Sequence, residues 1–155
     1  MPLFSFLSPY KALFGEPLLY WSDSMLRLVL PLFPTSNYQY HYTNHGRVLT
    51  KEARAWRTVA QAIARKEVKR QKWQCPDKWV FMNMLLYFYH PNFRCRDTHN
   101  NKLLLDSLED PNGKLVYLND FFVLPAIQSI QLDKQNPRVE VEITISDLVF
   151  RPRRK

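Results

Sequence analysis

The side chains with most chemical potential crowd into residues 94–108: Arg94, Cys95, Arg96, Asp97, Thr98, His99, Asn100, Asn101 and Lys102, then an apolar run containing Asp106. An acid, an imidazole and two amides at the entrance to a short helix, with arginines beside them, suit a divalent cation next to a phosphate. Carboxylates supply hard oxygen ligands, and guanidinium and ammonium groups neutralise the phosphate oxygens. Past a turn at Gly113, Asn119 and Asp120 bring a second acid. The chemistry to expect is metal-assisted phosphodiester hydrolysis, that of a metal-dependent nuclease acting on DNA.

The flanking elements must position these groups. Residues 80–89 are apolar on both faces, a pattern that predicts a central strand covered on both sides and ended by Pro91. The acids of residues 94–108 then lie at the end of that strand, where α/β folds commonly place function. Leu103 to Leu108 form the core-facing part of a second helix, and Asp110, Pro111, Asn112 and Gly113 have strong turn chemistry. Upstream, residues 26–30 read as a short strand ended by Pro31 and Pro34. Residues 34–47, rich in amides and tyrosines, read as a loop or irregular hairpin. His41 and His45 have a chelating spacing only on a helix, so surface or edge-strand positions are the better reading.

Thr50 is a good N-cap for a long first helix running to about Gln71. Trp56, Val59, Ala60 and Ile63 fall on one face of it. Lys51, Arg54, Arg57, Arg65, Lys69 and Lys72 gather opposite, while Glu52 and Glu67 project near the apolar side. A stripe of one sign fits phosphate tracking better than an ordinary solvated face, which interleaves charges. Residues 121–132, with Pro125, predict an edge strand, and residues 138–145 alternate as a half-buried strand. The order strand, helix, strand, helix, strands gives one α/β (α+β) domain, a mixed β-sheet flanked by two helices.

Composition agrees with a polyanion partner. Of 155 residues, 22 are Lys or Arg and 14 Asp or Glu, a formal charge of +8. Hydrophobic residues make up 46%, enough for a packed core. Cys75 and Cys95 are too few and too far apart for a Cys-x-x-Cys site and fit a reducing interior. Residues 1–24 form an apolar, aromatic N-terminal extension, broken by Pro2, Pro9 and Pro17 and without a basic leader. It makes a poor signal peptide and is expected to be dispensable. The domain proper spans residues 25–150, and residues 151–155 are a basic tail able to add nonspecific phosphate contacts. No apolar run is long enough to span a bilayer, so a cytoplasmic, nucleoid-associated protein is expected.

Several ordered segments resemble the RusA-type Holliday junction resolvases. Pro34, Thr35, Ser36 and Asn37 mirror a Pro-x-Ser-Asn element of that family, and Gly46-Arg47 its Gly-Arg before the first helix. Residues 97–102, then Asp106, Ser107 and Leu108, resemble its Asp-x-Asp-Asn-x-x-Lys signature followed by an apolar run and Asp-x-Leu. Asn119-Asp120 resemble its later paired acids, and the likeness runs over roughly residues 26–145. It implies a homodimeric endonuclease that uses Mg²⁺ or Mn²⁺ to cut four-way DNA junctions symmetrically. By the same likeness Asp97, Asp120, Lys102 and His99 are the catalytic candidates, with Asp97, Asp120 and His99 as metal ligands. Asn37, Arg47, Arg54, Arg57, Arg65, Lys69, Arg94 and Arg96 are the candidate DNA contacts.

The likeness has three departures. Lys102 aligns only with one residue deleted after Asn100, His99 stands where the family has its second acid, and Asn119 replaces the first paired acid. His99 is a metal ligand, a general base or a bystander; the residues do not choose among these. Taken singly, Asp97 or Asn100 can be a helix cap, and Lys102–Asp106 a surface pair contributing about 0.2–0.5 kcal/mol. Two other functions remain open: a junction-binding protein of this fold impaired in cleavage, and a single-strand nucleic-acid binder using Tyr38, Tyr40 and Tyr42.

Overall fold

The computed structural model describes residues 24–76, 80–94, 100–110 and 112–149. Asp97, His99, Arg96 and Cys95, the N-terminal extension before Ser24 and the basic tail lie outside the described residues. Six strands and two α-helices follow in the order β1 (Met25–Pro31), β2 (Tyr40–Thr43), β3 (Gly46–Leu49), α1 (Lys51–Arg70), β4 (Val80–His90), α2 (Lys102–Leu108), β5 (Val123–Leu132) and β6 (Arg138–Val149). A mixed four-stranded sheet has the order β1-β6-β4-β5, and β2 and β3 pair separately. The architecture is the α+β one that the sequence pattern predicts.

Strict alternation builds the sheet. Leu26, Leu28 and Leu30 of β1 and Val139, Val141 and Ile143 of β6 are wholly buried on one face. Each such side chain contributes about 1.5–3 kcal/mol on leaving water. β1 pairs antiparallel with β6, and β6 with β4. β4 is central, but it is not covered on both sides. Met82, Met84, Leu86 and Phe88 are buried, whereas Phe81, Leu85, Tyr87 and Tyr89 are only half-buried on the opposite face. There, polar tips shield the aromatic bodies. The Tyr87 hydroxyl donates to Glu142 (3.3 Å), and Arg138 lies 3.7 Å over the Tyr89 ring while pairing with Asp133 and Glu140. Amphipathic tyrosines let this face read as apolar in sequence while remaining partly wet.

α1 starts and stops where its residues dictate. The Thr50 hydroxyl accepts from the Ala53 amide (3.1 Å), and Trp73 donates back to the Val68 carbonyl (2.9 Å) while Lys72 takes a left-handed φ of 55°. That closing pattern is a Schellman cap without the usual glycine. The buried face is Ala53, Trp56, Ala60 and Ala64, with Ile63 partly buried. Val59 is 47% exposed, and Glu52 also faces solvent, so both depart from the expected stripe. The face turned to the core is instead the one formed by the three alanines and Trp56. The Trp56 indole donates to the Pro31 carbonyl (2.8 Å) and meets Phe33 edge-on at 5.7 Å.

β5 is the predicted edge strand and runs parallel to β4, with Val123 level with Met82 and Pro125 level with Met84. Parallel neighbours need a crossover. α2 and the segment after it supply that crossover, and they carry the chemistry.

Candidate metal and phosphate site

α2 is short and one-sided. Leu103, Leu104, Ser107 and Leu108 are buried, which leaves Lys102, Asp106 and the following Glu109 on one stripe at helical spacing. The chain then reverses. Asn112 donates to the Asp110 carboxylate (2.8 Å), Gly113 donates to the Asp110 carbonyl (2.9 Å), and Gly113 takes a φ of 69°. Leu115, Val116 and Tyr117 are buried on the return, and the Trp73 indole holds the Val116 carbonyl (3.0 Å). The Tyr117 hydroxyl donates to the Leu105 carbonyl (2.9 Å), and the Asp110 amide donates to the Tyr117 carbonyl (2.8 Å). These bonds lay the 115–120 segment alongside α2.

The result is convergence. Asp106, Glu109 and Asp120 present carboxylate oxygens all within 4.8 Å of one another. The Lys102 ammonium lies between two of them, 2.6 Å from Asp106 Oδ1 and 2.7 Å from Asp120 Oδ2. The Asp120 amide donates to Glu109 Oε2 (3.2 Å). Hydrogen bonds to Asp106 first and then Asp120 raise the Lys102 pKa above the usual lysine range, so the ammonium stays charged. Burial, and then the negative charge of Asp120, Glu109 and Asp106, push the Tyr117 phenol well above its ordinary value. From α1, Arg57 reaches across to donate to the Asp106 carbonyl (3.3 Å).

Of the catalytic candidates, Asp120 and Lys102 come together although 18 residues separate them. Asp97 and His99 lie outside the described residues. Asp106 is more than a surface partner of Lys102, and Glu109 joins the cluster without having been anticipated. Its signal was legible: Glu109 follows Asp106 by three and Lys102 by seven residues on one helical stripe. Asn119, the apparent departure from the paired acids, has a different task. Its side-chain oxygen accepts from the Phe121 amide (2.8 Å) and opens the 3-10 turn Asp120–Phe122 that aims Asp120. An amide oxygen caps as well as a carboxylate. Asp120 stands just before β5, whose Val123 is level with Met82 near the start of β4.

The described candidate DNA contacts lie on α1, ahead of it in the 3-10 turn Ser36–Tyr38 and β3, and after β4. Arg54, Arg65 and Lys69 are exposed on α1, while Arg57 is half-buried toward α2. Asn37 and Arg47 are exposed before α1, Arg94 is exposed after β4, and Arg96 lies outside the described residues.

The donor set fits a hard divalent cation: three carboxylates whose formal charge, with one ammonium, is balanced by a single dication, and an ammonium already standing as a cation among them. Acids and a lysine beside a cationic helix on an α+β scaffold fit a class of proteins that process phosphodiesters. Within that class, the family model of the endodeoxyribonuclease RusA matches residues 31–144. The chain belongs to the RusA endodeoxyribonuclease family. No individually curated protein matches the chain.

Proposed function

We propose that this protein is a structure-selective endonuclease that hydrolyses phosphodiesters in branched DNA, four-way junctions above all, and acts as a homodimer. The observation that carries the reading is the meeting of Lys102 and Asp120 at 2.7 Å, the two described residues that match the family's lysine and later acid. Asp106, Glu109 and Asp120 would hold Mg²⁺ or Mn²⁺, with Asp97 the further acid indicated by the motif. When bound, such an ion supplies Lewis acidity toward the scissile phosphate.

The chain's own residues do the rest. Lys102 lies where it can neutralise charge gathering on the phosphate oxygens. Arg57 commits one guanidinium nitrogen to the Asp106 carbonyl, which directs its remaining donors along the α1 side of the cluster, toward a backbone phosphate. Arg54, Arg65 and Lys69 extend the cationic track along α1. Tyr117, kept neutral, fixes α2 against the Asp120 segment without adding charge. Two-fold symmetric cuts on a junction require two such sites related by a dyad, hence the dimer. A DNA substrate places the protein with the nucleoid in the cytoplasm. No helix among the described residues is long and apolar enough to cross a membrane.

A second reading, junction binding with cleavage impaired, is prompted by His99 at the position of a family acid. Glu109 speaks against it, because it brings an acid into the cluster from another position. Cleavage of a synthetic four-way junction in Mg²⁺ or Mn²⁺ separates the two. Wild type should cut, and Asp120→Asn and Asp97→Asn should bind without cutting. Tight binding by wild type with no product under either metal would establish the impaired reading.

A further inference from the structure

The hairpin of β2 and β3 stands apart from the main sheet. Two-stranded hairpins are marginal in water by themselves, so this one depends on its base. There Gln39 is buried and donates to the Pro34 carbonyl (2.7 Å), and the Thr50 hydroxyl donates to the Tyr38 carbonyl (2.7 Å). Leu49 packs against the core. Beyond that base every residue from His41 to Val48 faces solvent. The tip is nonetheless ordered: the Thr43 hydroxyl donates to the Gly46 carbonyl (3.1 Å) and accepts from the His45 amide (3.2 Å).

One face of the hairpin carries Tyr40, Tyr42 and Arg47. Tyr42 pairs across the strands with Arg47, whose guanidinium lies 3.6 Å over the Tyr40 ring. Tyr42 itself is 84% exposed. A large aromatic ring exposed on a braced element, next to a guanidinium plane, is a surface suited to stacking on a planar base. The charge selects that ligand. From Ser36 to Lys51, through the hairpin and into α1, the chain has no Asp or Glu, but it has Arg47 and Lys51. The hairpin runs straight into α1, and Arg57, which touches Asp106, lies only about 9 Å along that helix from Lys51.

We infer that the hairpin is a branch-point reader, in which the Tyr42 ring stacks on an unpaired or splayed DNA base while Arg47 meets the adjoining phosphate. This rests on the junction-nuclease reading and adds a cause for its selectivity. In continuous duplex every base face is already stacked, so Tyr42 finds a ligand only where the stack is interrupted.

The test uses the full chain in metal-free buffer, so that no strand is cut. The probes are a four-way junction with 2-aminopurine at the branch point and a linear duplex of the same sequence. Wild type should change the 2-aminopurine emission on the junction. Tyr42→Phe should keep the change, because stacking uses the ring face. Tyr42→Ala should abolish it and weaken junction binding about tenfold or more, with duplex affinity unaltered. Thermal melting of each variant checks folding, which an exposed residue should leave untouched. Junction preference and emission unchanged in Tyr42→Ala would overturn the hairpin assignment alone, and would be the result if Tyr42 served a protein partner instead. Wild type that binds junction and duplex equally would remove the junction reading and the hairpin assignment with it.

Discussion

At the scale of residues, Lys102 would stand in two relationships to the proposed metal. Its ammonium compensates Asp106 and Asp120 when no other cation is present, and it competes with any cation that arrives. Removing it should therefore separate binding from turnover. Lys102→Met is expected to raise Mn²⁺ affinity about tenfold in calorimetric titration without DNA, since the competing charge is gone. Junction cutting should fall, because the phosphate no longer has that ammonium beside it. Glu109→Gln should do the opposite to binding and weaken Mn²⁺ about tenfold or more by removing one ligand charge. Asn119→Asp should leave Mn²⁺ affinity within a few-fold of wild type, because its side chain is committed to the Phe121 amide. A large gain in Asn119→Asp would instead place residue 119 among the ligands.

At the scale of elements, α1 has one face in the core and presents exposed cations on the proposed DNA side. Its inner face rests on Trp56; Trp56→Ala should cost about 3–5 kcal/mol in denaturant unfolding, through the cavity left behind and the orphaned Pro31 carbonyl. Its basic side chains, Arg54 on the outer face and Arg57 toward α2, should act electrostatically. Arg54→Ala with Arg57→Ala is expected to reduce the slope of log affinity against log salt by about two, one for each phosphate that the pair no longer neutralises. An unchanged slope would make the stripe an ordinary solvated face. The β5–β6 turn gives the pH dependence. Hydrogen bonds from the Asn136 amide first, and then the Arg138 side chain, hold the Asp133 pKa below its ordinary 3.8. A depressed carboxylate contributes stability that is present above its ordinary value and lost as pH falls through the folded one. Melting temperature should therefore drop below about pH 3.8, and Asp133→Asn should shrink that acid-dependent part of the drop.

At the scale of the whole molecule, the outer sheet face is the surface available to the proposed dimer. Phe81, Leu85, Tyr87 and Tyr89 are only half-buried there, and Met25 and Val29 of β1 are exposed on the same face beyond β6, whose Glu140 and Glu142 lie between. Light scattering at micromolar concentration should give twice the 18.6 kDa chain mass. A monomer would weaken the symmetric-cut mechanism. A chain beginning at Met25 should still fold, since β1 and the core it completes start there.

Much of this protein was legible in one dimension. Thr50 opened α1, prolines bounded β1 and β4, and strict alternation produced β6, because capping, backbone restriction and side-chain period are local effects. What local patterns leave open is which faces meet. Only packing turned α1 so that Val59 is exposed and Arg57 reaches α2, and left one face of β4 half wet. The cluster itself is tertiary. Asp120 joins Asp106, Glu109 and Lys102 because Tyr117, Trp73 and the turn at Gly113 fold the crossover back on α2. The sequence alone determined that acids, a lysine and a cationic helix would be present; the folded chain decided which acids face one another, because that choice belongs to contacts between residues far apart along the chain.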